Sequence, residues 1–285
     1  MGWIYLGLVV VGFTAMNFVM KLGSLKGHSS PALTASLFSA AALFCLAVVI
    51  ISGQPLYHSG PVVLLAVGGG VGGAIAYFFF LNALKIGPYA LTISIYTMAF
   101  LIPVVFSMIV WARPLNAAAG AGIALIVAGV ALISSSASGG PGAAQAAWLK
   151  WLILLGIAFV LTGIPQIAQA AAARLGAINL WYFLFLTFLS GSIALWSFLY
   201  IKRIVPRGRV FVYGGLAGLA SVAGNMFTLQ ALGKLAEPVV FPVSLAGPVI
   251  GAVLLSVLFF REKTKPLGYL GILLGLGGIV LLALS

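Results

Sequence analysis

Polar side chains are scarce along this chain, and several recur at helical spacing. Thr162, Gln166 and Gln169 are four and three residues apart and share one helical face, and Ser221, Asn225 and Thr228 repeat the pattern. Asn17 stands one turn after Phe13 and one turn before Lys21, while Tyr77, Tyr96, Thr97 and Ser244 add hydroxyls. Amides and hydroxyls can orient a polar solute, and tyrosine faces can cover its apolar part. Between helices in lipid, the same groups also serve as interhelical hydrogen bonds. Asn17, Tyr77, Tyr96, Gln166, Asn225 and Ser244 form the candidate substrate-binding set. None of them ionises at neutral pH, which favours a neutral or zwitterionic solute.

Other chemistries lack their residues. The chain has no aspartate, so a Ser-His-Asp triad is impossible. Its single cysteine, Cys45, can make neither an internal disulfide nor a metal cluster. His28 and His58 lie in connections, and the only acids are Glu237 and Glu262. Glu262 sits in the basic turn Arg261–Lys265. Glu237 precedes Pro238 at the start of an apolar segment, where an anion suits a helix N-terminus. These two are the only acids that could couple transport to protons. No enzyme activity, cofactor or metal is expected. Lys21, Lys85, Arg174 and Lys234 lie near segment ends. There they can reach lipid headgroups, or alternatively attract an anionic substrate.

The elements that must position these groups follow from composition. The chain has 285 residues, 63% hydrophobic and 6% charged, with a mean hydropathy of +1.26. A soluble domain would carry roughly a quarter charged residues, so an integral membrane protein is expected. A net charge of +12 would otherwise suggest nucleic acid. Here the cations stand singly or in small groups between apolar runs, as topology signals and lipid anchors, and no nucleic-acid partner is expected. No basic leader precedes Trp3-Ile4-Tyr5-Leu6, so no removable signal peptide is expected either.

A spanning helix needs about 20 apolar residues, and ten such segments separate at Gly, Pro and basic residues. They fall at about 3–22, 31–52, 61–84, 88–111, 115–134, 148–170, 179–201, 209–232, 236–260 and 266–284. The stretch 135–147, rich in Ser and Gly, reads as a linker between 1–134 and 148–285.

The two parts resemble each other. Leu81-Asn82-Ala83-Leu84 matches Leu229-Gln230-Ala231-Leu232. With one insertion at Gly233, Lys85 matches Lys234, Arg113 matches Glu262, Gly122 matches Gly271 and Gly129 matches Gly278. Asn17 likewise matches Gln166, and Tyr77 matches Asn225. Because each unit has an odd number of helices, the second copy must enter the membrane from the opposite side. The expected fold is therefore all-α, with ten transmembrane helices as two inverted five-helix repeats. Secondary transporters are commonly built this way and place their substrate near mid-membrane. Pro103, Pro165, Pro242 and Pro248 each remove a backbone donor inside a segment, as packed kinks or as hinges.

The segment Phe259-Phe260-Arg261-Glu262-Lys263-Thr264, followed by Gly268, Gly271, Gly275, Gly277-Gly278 and Ile279, resembles the end of each repeat in the drug/metabolite transporter superfamily, EamA-type ten-helix branch. Pro248 stands where that pattern has its helix proline. The first copy runs from Pro103 through Arg113-Pro114 to Gly120, Gly122 and Gly129, with arginine in place of the usual acid. The resemblance implies transport, often export, of amino acids, other metabolites or drugs. The reading that follows is a secondary transporter of a small polar metabolite working by alternating access. The alternatives are an organic-anion or phosphate-type exchanger using Lys and Arg, or a membrane channel. Of the 14 cationic residues, 11 fall in odd-numbered connections and 3 in even ones. The positive-inside rule then puts both termini outside a cytoplasmic membrane.

Overall fold

A computed structural model describes residues 1–53, 59–86, 92, 95–136, 145–176, 178–206, 208–260 and 266–284. Glu262 and its basic turn, Arg207, His58 and residues 137–144 of the expected linker lie outside the described residues, as does the side chain of Lys85. Among the described residues there are ten α-helices and no strand. They are α1 Gly2–Leu25, α2 Ser30–Ser52, α3 Gly60–Ile86, α4 Leu101–Val110, α5 Ala117–Ser136, α6 Gln145–Arg174, α7 Leu180–Ile201, α8 Val210–Leu232, α9 Glu237–Phe260 and α10 Pro266–Ala283. Each falls on one of the ten apolar segments. Among the described residues, seven are long and apolar enough to cross a membrane, and α4, α5 and α9 contribute shorter apolar stretches.

The helix ends have local causes. Ser29 precedes α2, and Gly53 closes it in the left-handed conformation at φ 58°. Asn179 caps α7, its side-chain oxygen accepting from the Tyr182 N–H at 3.1 Å. Asn116 accepts from the Ala119 N–H at 2.7 Å at the start of α5. Pro103 cannot donate to the Ala99 carbonyl, and a 3-10 turn at Met98–Phe100 leads into α4 where that bond is missing.

The helices form two compact units. The first contains Met1–Ala74 and Ile167–Lys234, and the second Ile75–Gln166 and Leu235–Ser285. Each therefore draws on residues from both sides of the 137–144 stretch. The division falls inside α3, after Ala74, and inside α6, after Gln166.

In the first unit, α1 and α8 run antiparallel. Tyr5 stacks near Phe227, Gly12 meets Gly224, and Gly23 meets Tyr213. On α8, Gly214 and Gly218 face Ser36 and Leu37 of α2. Helix α2 also packs on α7, where the Ser39 and Ser192 hydroxyls are 2.8 Å apart and the Trp196 indole donates to Ser39 at 2.7 Å. Cys45, Phe183, Phe188, Val222 and Met226 fill the core.

In the second unit, α5 and α10 run antiparallel at close range. A Cβ on Gly122 would lie 2.9 Å from the Gly278 carbonyl, and one on Gly129 would lie 2.6 Å from the Gly271 carbonyl. Ile250 of α9 packs with Ile133 and Ile272. Gly129→Val is therefore expected to lower the unfolding temperature in detergent, through an overpacking cost of about 1–3 kcal/mol. At Gly277, also on α10, a Cβ would meet nothing within 4 Å. Gly277→Val should leave the melting curve nearly unchanged in the same thermal scan.

Candidate functional site

Helix α6 carries most of the relevant groups. In the second unit, Trp151, Leu155, Ala158, Thr162 and Gln166 follow one another at three- and four-residue steps and so share one face. Trp151 is fully buried, and its indole N–H donates to the Thr92 hydroxyl at 2.9 Å. Trp151 and Leu155 pack with Ala83, Ile95 and Tyr96. The Thr162 hydroxyl donates to the Ala158 carbonyl at 2.7 Å. Its remaining lone pair is what it offers to the Tyr96 hydroxyl, with which it shares a hydrogen bond.

The Tyr96 ring stacks on Phe80, with centroids 4.0 Å apart and planes 24° apart. Phe80 in turn lies 6.1 Å from the Tyr77 ring. One turn beyond Thr162, the side-chain oxygen of Gln166 is buried without a hydrogen-bond partner. Pro165, inside the helix, has no N–H to give the Leu161 carbonyl. Tyr77, Tyr96 and Gln166 of the expected set thus belong to one unit, around Phe80 and Thr162.

Asn17 and Asn225 belong to the other unit. Asn225 is hydrogen-bonded through both its oxygen and its nitrogen. Its side-chain oxygen accepts from Gln169 at 2.6 Å, and its nitrogen donates to the Ser221 carbonyl at 2.9 Å and to the Ser221 hydroxyl at 3.3 Å. This relay ties the end of α6 to α8. Gln169, Thr162 and Phe80 stand among these groups outside the expected set. Spacing pointed to the first two, each one turn from Gln166, whereas nothing in the sequence marked Phe80. Ser244 is buried in α9 and donates to the Val240 carbonyl at 2.6 Å, so its hydrogen is satisfied on its own helix. Pro242 and Pro248 are buried within α9, and Pro103 is buried in α4.

Glu237 begins α9, as expected of an anion at a helix N-terminus, and is almost fully buried. Arg113 lies 3.5 Å from its carboxylate, with half of its own side chain exposed. Among the described residues no group of three or more His, Cys, Asp or Glu side chains could hold a metal ion.

Among the described residues, seven helices long and apolar enough to cross a membrane mark an integral membrane protein. Residues 1–135 of the chain match the model of the EamA-like transporter family, part of the drug/metabolite transporter superfamily. No curated protein matches the sequence. Solved structures do match, 29 chains in all. One crystal structure is similar with a TM-score of 0.77 at 20% identity, covering 98% of both chains, and at that identity it shows the fold alone.

The relay makes a stability prediction. Asn225→Leu leaves the Gln169 amide without its acceptor and should destabilise the protein by about 1–3 kcal/mol. Replacing both residues with leucine should recover part of that loss, because no polar group is then stranded. Thermal unfolding of the two single variants and the double variant reads the coupling directly.

Proposed function

We propose that this protein is a secondary carrier that exports a small polar solute across the cytoplasmic membrane by alternating access. The observation that carries the reading is the paired glycine contact of α5 and α10. The sequence repeat equates Gly122 with Gly271 and Gly129 with Gly278. Exchanging the two copies turns the Gly122–Gly278 contact into the Gly271–Gly129 contact, which is the other contact observed. Two antiparallel helices whose contacts interchange in this way are what an inverted repeat requires. Such a repeat lets two similar surfaces open in turn to opposite sides. The transporter family supports the same reading, and fits a protein without catalysis.

Within this reading, Tyr77, Tyr96 and Gln166 are solute contacts, and Asn17 and Ser244 are secondary members of the set. Asn225 acts chiefly by holding α6 to α8. Pro165, Pro103, Pro242 and Pro248 are hinge positions. None of these side chains ionises at neutral pH, which favours a neutral or zwitterionic solute over the organic-anion alternative.

Purified protein in sealed proteoliposomes should give saturable, solute-specific flux. Flux that rises linearly with concentration, with single-channel currents, would identify a channel instead. If Lys85→Gln and Lys234→Gln abolish transport while Gln166→Leu does not, the anion exchanger replaces the present reading.

The charge count places the odd-numbered connections in the cytoplasm and both termini outside. An Arg207→Cys variant in a Cys45→Ala background should then resist an impermeant thiol reagent on intact cells. Cys45 itself is fully buried, so its removal clears the background without exposing a new surface. Ready external labelling would reverse the orientation.

A further inference from the structure

The charged side chains of the first unit are all of one sign. Residues 1–74 and 167–234 contain no aspartate or glutamate, because Glu237 and Glu262 both fall in the second unit. No carboxylate side chain of its own unit can therefore neutralise a cation there. Four of these cations, Lys26, Lys202, Arg203 and Arg209, are exposed and stand at one end of the unit. Lys26 closes α1 and Arg209 opens the antiparallel α8, and the two ends meet where the His28 and Tyr213 rings lie 5.7 Å apart. Val210, next to Arg209, is buried in a cluster with Ala32 and Leu33 of α2. Lys202 and Arg203 follow α7, whose last turns are joined to the start of α8 by the Trp196–Phe211 stack at 6.4 Å.

Two observations indicate what these cations meet. The first is the backbone at Arg203. Its φ of 53° is in the left-handed region, and the next N–H, that of Ile204, donates to the Leu199 carbonyl at 2.9 Å to close α7. Glycine takes such a position with least strain, as Gly53 does at the end of α2. Here the strained position carries an exposed guanidinium instead. The second is the apolar surface around the cations. Tyr200, Ile201, Val205 and Phe211 are each more than half exposed. A small soluble anion leaves such a surface uncovered, whereas a phospholipid covers it with acyl chain while its phosphate meets the cations.

We propose that this end of the first unit is a docking surface for an anionic phospholipid. Lys26, Lys202, Arg203 and Arg209 hold the headgroup, and Tyr200, Ile201, Val205 and Phe211 lie against the chains. The two guanidiniums can grip phosphodiester oxygens through paired hydrogen bonds, which an ammonium cannot do. A zwitterionic headgroup brings its own cation and is disfavoured by the same four charges. The site does not depend on which solute the carrier moves or in which direction.

Native mass spectrometry of the purified full-length protein in detergent reads bound lipid directly. The probes are dioleoyl phosphatidylglycerol, dioleoyl phosphatidylcholine, and glycerol phosphate as a headgroup without chains. Phosphatidylglycerol should bind about tenfold or more tightly than phosphatidylcholine, and excess glycerol phosphate should leave it in place. Each cation removed should weaken phosphatidylglycerol binding about fivefold, the equivalent of its attraction to an anionic surface. Arg203→Gly separates binding from folding. It removes the charge and relieves the left-handed turn, so it should lose that fivefold yet melt no lower than the wild type. Lys150, an exposed cation of the second unit, is the control, and Lys150→Gln should leave phosphatidylglycerol binding unchanged.

Equal affinity for the two lipids, displacement by glycerol phosphate, unaltered binding when Arg203→Gly and Arg209→Gln are combined, or an equal loss in Lys150→Gln overturns the site. Displacement would identify a soluble anion as the occupant, and an equal loss at Lys150 would reduce the effect to overall charge. The first two comparisons need no variant and so survive any folding defect.

Discussion

A polar group buried in the hydrocarbon of a membrane has no water to return to when its partner is lost, and this constraint organises the whole chain. It forces the backbone into helices, because only a helix satisfies its own N–H and C=O groups within one segment. It then acts on the side chains. Thr34, Ser39, Thr162, Thr187, Thr228 and Ser244 each donate to the carbonyl four residues earlier on their own helix. A hydroxyl solves its problem locally and so says little about a site. An amide carries two donors and an acceptor, and one helix seldom satisfies them all. Amides therefore find neighbours, as Gln169 finds Asn225, or remain exceptions, as Gln166 does.

The second requirement is close contact between helices without the help of water exclusion. In lipid, large apolar residues gain nothing by turning inward, whereas small ones let backbones approach and maximise dispersion contacts. Ala35, Ala41, Ala66, Ala76 and Ala83 are fully buried beside larger side chains such as Phe183 and Trp151, while Leu43, Ile50, Leu64 and Ile109 are more than 60% exposed. The glycine contacts of α5 with α10, and of α8 with α1 and α2, extend the same rule to backbone against backbone. Substituting a larger residue at these positions acts on the fold through geometry, not through polarity.

Much of this was legible from residues alone, because the length and apolarity of a span are read directly from sequence. The ten segments and their breaks at Gly23–Gly27, Gly53, Arg113-Pro114, Gly176 and Gly233–Lys234 correspond to the helices and their connections. The site was legible only in part. Spacing grouped Thr162, Gln166 and Gln169 on one face, and in the structure Gln169 of that face pairs with Asn225. Spacing could not reveal that Asn225 is paired and Gln166 is not, since that depends on which amide meets a neighbour across a helix interface. The back-bond of Ser244 to Val240 is likewise invisible in a residue list. Phe80 was overlooked because an apolar ring in an apolar helix carries no signal until its partner Tyr96 is located. The Arg113–Glu237 pair joins connections 124 residues apart, a distance no local pattern spans.

The two helices divided between units share a further property. Helix α3 passes from one unit to the other after Ala74, just beyond Gly72 and Gly73, and α6 does so after Gln166, just beyond Pro165. Glycine lowers the cost of distorting a helix, and proline has already removed one of its hydrogen bonds. Bending α6 at this point breaks no bond between residues 161 and 165, because none can form. A helix joined to two separately packed bodies deforms where its own ladder is weakest, and in α6 that place coincides with the unpaired Gln166. The loosened turn and the anchor lie close together in one short stretch, Leu161–Gln169, whose far end is tied to α8 through Asn225.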